Sequence, residues 1–371
     1  MDDKVIEFKM GELFSGPGGL GLGSKLAEIK IDNRVYKISH AWANDIDEDA
    51  CRTYRSNIMP DNPEMVINKP VEELDVSNLP KIDAFSFGFP CNDFSVVGKQ
   101  KGFDGEYGPL YSYGVKVLNE HNPKWFLAEN VGGLKSSNDG EAFKIILRDL
   151  SKAGKGYNLT PHLYKFEDYG VPQKRHRIII IGIRKDLDLK FEVPKPTHVD
   201  NYITAKEAIE KPPIPEDLDS HNYTRHTKKV KKFLSYIPPG ENAWYDGIPE
   251  ELRLNVKGAK MSNIYRRLDP DEPAYTVTGS GGGGTHMYHY EEPRALTNRE
   301  RARLQTFEDD FIFKGNKGSI RKQIGMAVPP KGAKIIYEAV LKTFAGIDYE
   351  SIKSDWWEKQ DINLSRKAVK V

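Results

Sequence analysis

Cysteine is scarce in this chain, which has only Cys51 and Cys91 among its 371 residues. Two cysteines supply neither a disulfide framework nor a thiolate zinc site, so we expect no metal. Long apolar runs are also missing, and none approaches the length of a bilayer span, so we expect no membrane attachment. The acidic N-terminus, MDDKVIEFKM, lacks the basic and apolar regions of a signal peptide, which predicts a protein of the reducing cytoplasm.

The chain also lacks an excess of charge of either sign. Its 55 Lys and Arg nearly balance its 54 Asp and Glu, for a formal net charge of +1. Any nucleic-acid site must therefore come from charge segregation. Between Thr224 and Arg267, ten Lys and Arg stand against four Asp and Glu, interleaved with Tyr236, Trp244, Tyr245 and Tyr265. Taken alone, this composition is more typical of an ordinary solvated basic face than of a nucleic-acid site.

Strand-like and helix-like segments alternate up to about residue 184. The pattern predicts strands at 7–14, 39–44, 82–89, 124–129 and 177–184, and helices at 47–57 and 140–153. Such alternation is typical of βαβ units in an open, mostly parallel sheet. Prolines cluster from about 185 to 263 and the periodicity is lost there, so we expect a second, loop-rich domain.

A capping box, TNRE, begins at Thr297. In this motif a Thr side chain and a Glu side chain three residues later satisfy backbone N–H groups reciprocally. The motif predicts the start of a helix that carries Arg299, Arg301 and Arg303.

The sequence LFSGPGGLGLG, residues 13–23, places a glycine-rich turn between a predicted strand and a predicted helix. Gly16, Gly18 and Gly21 satisfy the pattern GxGxxG, and Asp45 ends the second predicted strand, where a ribose-binding acid belongs. Backbone N–H groups in such a turn approach a ligand at the positive end of a helix dipole. Three alternatives stay open: a dinucleotide site, a nucleoside cofactor site or merely a tight turn.

Cys91 follows the predicted strand at 82–89 directly after a proline, in FGFPCNDFS. It therefore stands at the carboxyl end of a sheet strand, where open α/β sheets bind their ligands. A reactive thiol and a packing cysteine are equally compatible with this position. Cys51, inside the helical segment DEDACRTY, is the better candidate for a packing cysteine.

Glu129 ends the apolar strand KWFLAEN. Burial there should raise the pKa of its carboxyl and keep it ready as a proton donor. In VPQKRHRIIIIGIR, Arg175 and Arg177 alternate before a buried strand and so share one face. Their guanidiniums could hold a substrate oxygen or a phosphate, or pair with carboxylates.

Together these blocks resemble the cytosine carbon-5 DNA methyltransferases, particularly the bacterial enzymes of restriction-modification systems. The resemblance covers roughly residues 7–184 and 264–340. The matching blocks, in order, are FSGPGG, NDIDEDACRTY, GFPCNDFSVVGKQKGF, ENVGGL, DYGVPQKRHRIIIIGIR, RALTNRERARLQTF and QIGMAVPP.

The resemblance implies a reaction in which a methyl group passes from S-adenosylmethionine to carbon 5 of a flipped-out cytosine in duplex DNA. Cys91 would add to carbon 6, and Glu129 would protonate or hydrogen-bond ring nitrogen 3. Arg177 would hold the carbonyl oxygen of the base, with Arg175 close by. Contacts with the base or the DNA are expected for Pro90, Ser95, Asn130, Arg266 and Arg267.

The resemblance also implies cofactor-binding residues. They are Phe14, Gly16, Pro17, Gly18, Leu20, Asp45, Ile46, Phe89 and Leu110. Asp45 stands where the family usually has Glu. Two further departures concern the cofactor: INKPVEEL offers Asn68 or Lys69 where the family often has an acid, and GMAVPP places Met326 where it nearly always has Asn.

The implied fold class is α/β: a Rossmann-like methyltransferase sheet with helices on both faces, plus a smaller target-recognition domain. The expected division is 1–184 for the catalytic and cofactor-binding domain, 185–290 for target recognition and 291–371 for a C-terminal segment. Of this segment, about 320–345 would return to the catalytic domain. Duplex DNA is the expected partner of a monomeric enzyme, and a cognate restriction endonuclease would act separately.

Three rival interpretations differ in what they explain. A tRNA cytosine carbon-5 methyltransferase of the same superfamily would share the catalytic blocks, although the long recognition segment favours DNA. A non-catalytic DNA-binding relative should lack Cys91 or Glu129, and both are present. A nicotinamide dehydrogenase would explain the glycine turn alone.

Overall fold

A computed structural model of the protein describes residues 3–89, 110–131, 141–255 and 261–354. The strands within these ranges are β1 (Lys4–Leu13), β2 (Glu28–Ile31), β3 (Arg34–Asp45), β4 (Val66–Asn68), β5 (Ala84–Gly88), β6 (Trp125–Val131), β7 (Tyr157–Lys165), β8 (Gln173–Lys174), β9 (His176–Arg184), β10 (Val193–Pro194), β11 (Ala274–Tyr275) and β12 (Ser351–Ile352). The α-helices are α1 (Gly19–Lys25), α2 (Glu48–Asn57), α3 (Tyr111–His121), α4 (Glu141–Lys152), α5 (Ala205–Glu210), α6 (Lys228–Ser235), α7 (Asn298–Leu304), α8 (Lys317–Met326) and α9 (Pro330–Ala345).

The central sheet has the strand order β2-β3-β1-β5-β6-β9-β7, with β4 paired to β3. Its middle is parallel: β3, β1, β5 and β6 all run in one direction. The edges are antiparallel, because β2 opposes β3 and because β9 opposes both β6 and β7. The open α/β sheet predicted from the sequence is confirmed, with its parallel part limited to the centre.

Helices cover both faces of this sheet, as β6 shows. Phe126 and Ala128 enter an apolar cluster that includes residues of α3 and α4, whereas Trp125 and Leu127 enter a second cluster with residues of α1 and α9. Because strand side chains alternate between faces, a strand apolar throughout must be covered on both sides. The predicted helical layers on both faces are therefore confirmed.

The proline-rich segment forms two short helices, α5 and α6, joined by long irregular stretches. Thr204 and Thr227 cap them by accepting hydrogen bonds from backbone N–H groups. A small apolar cluster around Phe233, Leu234 and Ile237 gives this region a core of its own. None of the described helices combines the length and the apolar composition that crossing a membrane requires.

A third apolar cluster joins α2 to α5, α7 and α8, and Cys51 is fully buried in it. Cys51 is thus a packing cysteine, as expected. The capping box is also confirmed: Thr297 Oγ1 accepts from Glu300 N at 3.1 Å, and Glu300 Oε2 accepts from Thr297 N at 2.7 Å. Helix α7 follows directly, and α9 returns to pack on α1 and on one face of the sheet.

Candidate active site

A cleft with a volume of about 260 Å³ opens at the carboxyl ends of β1, β3, β5 and β6. Open α/β sheets bind ligands at this edge. The residues that line it are Glu12, Phe14, Ser15, Gly16, Pro17, Gly19, Leu20, Asn44, Asp45, Ile46, Lys69, Pro70, Val71, Glu72, Gly88, Leu110, Glu129, Met326, Ala327 and Val328.

The glycine-rich turn forms one wall of the cleft. Phe14 and Gly16 have φ angles of 54° and 53°, in the left-handed region that Gly adopts at no steric cost. A Cβ added at Gly16 would meet no atom within 4 Å, whereas one added at Gly19 would lie 2.2 Å from Val328 O. The turn is therefore open toward the cleft and tightly packed behind. Ser15 Oγ is buried and has no hydrogen-bond partner among the described residues.

Asp45, at the end of β3, connects this turn to the neighbouring strand. Its carboxylate accepts from Gly16 N at 2.7 Å and from Asp47 N at 2.9 Å, while burial raises the pKa of the carboxyl. Asn68 Nδ2 donates to the carbonyl oxygens of Asp45 and Ile46, at 3.2 and 2.9 Å. Asn68 thus fixes the backbone that presents Ile46, whose side chain is 71% exposed.

The cofactor prediction agrees with the cleft lining at Phe14, Gly16, Pro17, Leu20, Asp45, Ile46 and Leu110. Gly18 and Phe89 were also predicted to bind the cofactor, but they do not line the cleft. A Cβ at Gly18 would lie 2.9 Å from Ile58 Cγ1, so this residue faces α2. Phe89 is buried, with its ring centroid 5.7 Å from that of Phe87 and 6.3 Å from that of Tyr111. Both residues support the wall from behind.

Sequence reasoning missed one lining residue of chemical interest, Glu12. Its carboxyl is 1% exposed and accepts a hydrogen bond from Tyr54 Oη at 2.7 Å. Burial raises the pKa of this carboxyl to about 8, against the lowering effect of the Tyr54 hydrogen bond. The available signal was an acid inside the otherwise apolar end of a strand.

Glu129 borders the same cleft from β6. Its Oε1 lies 3.0 Å from Arg177 Nε, and each of these side chains is 14% exposed. Burial raises the pKa of the Glu129 carboxyl, and the nearby charges of Arg177 and Arg175 oppose that rise. Glu129 pairs with Gly88 of β5, where an added Cβ would lie 3.1 Å from Glu129 Oε2.

Asn130 holds the chain that leads toward Cys91. Its Nδ2 donates to Phe89 O at 3.0 Å, and its Oδ1 accepts from Val131 N at 2.7 Å. The end of β5 is therefore tied to the end of β6. Three predicted site residues, Pro90, Cys91 and Ser95, lie outside the described residues.

Arg175 lies near Glu129, as expected, but bonds elsewhere. Its Nη1 donates to Val277 O and its Nη2 to Gly325 O, each at 3.0 Å, and its side chain is buried. These bonds direct its guanidinium into the scaffold, so that Arg177 alone of the pair contacts Glu129. Arg175 acts on Glu129 through its charge.

The two arginines proposed for DNA contact also differ. Arg267 is buried, and its guanidinium donates to the carbonyl oxygens of Leu234, Ile237, His289 and Tyr290. Its guanidinium is bonded to backbone, so Arg267 holds the loop-rich region together, and this placement argues against the predicted DNA contact. Arg266 is partly exposed and lies over the ring of Tyr275 at 4.6 Å.

The fold, with a cleft at the carboxyl edge of its parallel strands, is that of a methyltransferase. A solved structure described as a DNA modification methyltransferase encoded within an E. coli prophage matches it with a TM-score of 0.69, covering 91% of this chain and 99% of that one at 24% identity. The chain belongs to the C-5 cytosine-specific DNA methylases, since the model of that family matches residues 8–342. It is thus a DNA (cytosine-5-)-methyltransferase.

Curated relatives are similar over nearly their whole length. The Type II methyltransferase M.BbvI of Brevibacillus brevis is 65% identical over 358 residues, which cover 95% of each chain. The Type II methyltransferase M.NgoFVII of Neisseria gonorrhoeae is 38% identical over 364 residues, which cover 96% of this chain and 90% of the relative.

Proposed function

We propose that this enzyme transfers a methyl group from S-adenosylmethionine to carbon 5 of a cytosine turned out of a specific duplex DNA sequence, through a transient bond from Cys91 Sγ to carbon 6. The observation that carries the proposal is the Glu129–Arg177 pair, at 3.0 Å, on the cleft that the glycine turn also lines. Glu129 pairs with Gly88, three residues before Cys91 in the chain.

The lining residues fit S-adenosylmethionine. Ile46 offers an exposed apolar surface against which an adenine ring would pack, and Asp45 retains acceptor capacity for ribose hydroxyls. Ser15 Oγ has no partner among the described residues and is free to bond a polar ligand atom. When bound, S-adenosylmethionine supplies an electrophilic methyl group. Met326, 65% exposed, offers apolar contact where the resemblance implies an amide.

The side chains divide the chemistry between them. Carbon 5 of cytosine is a weak nucleophile, and addition of the Cys91 thiolate at carbon 6 makes it electron-rich. Glu129 places a proton at ring nitrogen 3, which takes up the displaced electron pair, and Arg177 binds the carbonyl oxygen of the base. After methylation at carbon 5, loss of the proton there and departure of Cys91 Sγ release methylcytosine.

Target recognition is assigned to residues 185–290, with Arg266 as a DNA contact. This assignment is supported by the separate small core around Phe233 and by the basic composition between Thr224 and Arg267. The names of the two curated relatives support a Type II restriction-modification role. A cognate endonuclease would then act separately on the same site, and the methyltransferase would work as a cytoplasmic monomer.

Replacement of the two catalytic groups tests this function. Cys91→Ser and Glu129→Gln should each reduce methyl transfer from labelled S-adenosylmethionine to duplex DNA by at least ~100-fold, because each removes a group that takes part in the chemical step. Cys51→Ser, the matched control in the packed core, should retain most of the activity. Near-wild-type transfer by Cys91→Ser would defeat the proposal.

Substrate choice separates DNA from the tRNA alternative. With wild-type protein, label should enter duplex DNA and not transfer RNA under the same conditions. Label entering RNA alone would assign the enzyme to the rival substrate. Binding of NAD in place of S-adenosylmethionine would favour the dehydrogenase interpretation.

A further inference from the structure

Arg301, on α7, is a buried cation that forms no hydrogen bond with the described part of the chain. Its side chain is 1% exposed, and none of its three guanidinium nitrogens bonds to any described residue. Other arginines of α7 behave differently: Arg299 donates to the carbonyl oxygens of Asp219, Glu308 and Phe311. Among the described arginines of α7, Arg301 thus differs from Arg299 and Arg303 in having no partner for any guanidinium nitrogen.

Several cations lie near Arg301 and His286. The pKa of the Arg301 guanidinium is lowered to about 10, chiefly by burial; Arg321 of α8 contributes to the lowering, while Tyr275, Glu300 and Tyr288 oppose it. The pKa of His286 is lowered to about 4 by burial and then by Arg301, Arg321, His226 and Lys317. A Cβ added at Gly281 would lie 3.4 Å from Arg321 Nε and 3.5 Å from His286 Nδ1, so these two side chains converge beside one backbone segment.

The nearby carboxylate is already engaged. Glu300 accepts from Arg294 Nη2 and Nη1, at 2.8 and 2.9 Å, and from Thr297 N at 2.7 Å. Tyr275 and Tyr288 also lie close to Arg301, but neither carries a negative charge at neutral pH because burial raises the pKa of both. Within the described ranges no carboxylate bonds to Arg301, and an isolated buried charge is costly, so an added anion would stabilise it.

We propose that Arg301, Arg321, Lys317 and His286 form a site for one phosphate of the DNA backbone, an inference that rests on the proposed DNA substrate. Lys317 is exposed and Arg321 partly exposed, so they form the accessible part of the site. Arg301 lies beneath as a fixed positive charge. Lys317 Nζ donates to Asn222 O at 2.8 Å and has further N–H groups to offer. A phosphate bound by Arg321 and Lys317 would also place a negative charge over the buried Arg301.

The surroundings favour a polymer over a small anion. Gly282 and Gly283 carry no side chain, and a Cβ at either would meet no atom within 4 Å, so a large ligand could approach the backbone here. Arg266 and Arg301 both act on Tyr275, so the site lies near Arg266, the residue proposed above to contact DNA.

The salt dependence of DNA binding by the full-length variants tests the site. Arg301→Met should weaken binding about tenfold and reduce the slope of log K against log salt by about 0.9, the value for one lost phosphate contact. Arg321→Gln, whose side chain is partly exposed and whose replacement should not disturb folding, should reduce the slope in the same direction. An unchanged slope in both variants would overturn the proposal.

Thermal stability distinguishes an anion-binding arginine from a structural one. Arg301→Met should raise the Tm of the DNA-free protein by a few degrees, because it removes a buried unpaired charge. The matched control, Arg299→Met, should lower the Tm and leave the slope unchanged, because Arg299 satisfies three backbone carbonyls. If Arg301→Met lowers the Tm as Arg299→Met does and keeps the wild-type slope, Arg301 is structural and the proposal fails.

Two further experiments identify whether the phosphate belongs to DNA or is a free anion. Duplexes with single methylphosphonate linkages should include one that weakens wild-type binding and leaves Arg301→Met binding unaffected. If millimolar inorganic phosphate protects the wild type against heat as strongly as DNA does, a small-anion site replaces the one proposed. Wild-type methyl transfer to DNA, measured on the same preparation, tests the proposed function independently of these variants.

Discussion

At the scale of single residues, the environment determines what each carboxyl can do. Glu129 and Glu12 both line the cleft, and burial raises the pKa of each. Arg177 lies 3.0 Å from Glu129, whereas Glu12 bonds to the neutral Tyr54 hydroxyl. Glu129 therefore faces a cation that can orient it toward a substrate, and Glu12 is held protonated by its surroundings at neutral pH.

Glu12 should make stability depend on pH. Its folded-state pKa of about 8 exceeds the ordinary value of 4.5, so between these values the folded protein keeps a proton that the unfolded chain loses. The stability contributed by this proton is complete below pH 4.5 and is lost as the pH rises to 8, at up to about 1.4 kcal/mol per pH unit. Glu12→Gln should remove this dependence.

Chemical denaturation of the cofactor-free wild type and of Glu12→Gln, from pH 5 to pH 8, measures the effect. The two should have similar free energies of unfolding near pH 5, and the variant should be the more stable near pH 8. Parallel curves over the whole range would show that Glu12 does not hold this proton.

The position of a site residue was predictable where it depends on the local secondary structure alone. The strand-end position of Glu129 was enough to place it at the sheet edge. The bonds of Arg175 and Arg267 could not be predicted, because their partners are carbonyl groups elsewhere in the sequence, such as Val277 O and Tyr290 O. The presence of a charged residue in a sequence does not reveal whether backbone carbonyl groups from other segments will bind its side chain.

At the scale of elements, close packing of α1 on α9 fixes one side of the glycine-rich turn. A Cβ added at Gly23 would lie 2.5 Å from Ala333 Cβ and 2.9 Å from Pro330 O. Gly23→Ala should therefore separate the two helices and reduce the free energy of unfolding by about 1–3 kcal/mol, as overpacking does.

Urea denaturation of Gly23→Ala beside Gly282→Ala checks this prediction. Gly282 has an extended backbone and open space around it, so its replacement should be nearly neutral. Equal stability of the two variants would mean that α1 and α9 are not held at the observed distance.

The elements predicted best were those with strong local signals. The isoleucine run of β9 and the capping box of α7 specify a strand and a helix start without distant help. Strand β7 was missed because polar residues and Pro161 interrupt its alternation. The antiparallel placement of β9 depends on that missed neighbour, since the short connection from β7 returns along the sheet.

At the scale of the whole molecule, a net charge of +1 is compatible with a DNA-modifying enzyme because its cations are unevenly distributed. The ordered sequence blocks predicted the α/β fold and the family. They did not predict the internal arrangement of 185–290, since that segment has no periodicity and is held by long-range bonds such as those of Arg267. Composition indicated that the segment is basic, and tertiary packing decided which of its cations remain available.

The central claim is a covalent bond between Cys91 and the target base, and trapping tests it most directly. With duplex DNA that carries 5-fluorocytosine at the target position, fluorine cannot leave carbon 5 as a proton does, so the bond at carbon 6 should persist after methyl transfer. Peptide mass spectrometry should find the adduct on Cys91 and none on Cys51, the other cysteine of the chain. An enzyme that methylates ordinary DNA but forms no adduct at Cys91 with the fluorinated duplex would contradict the account.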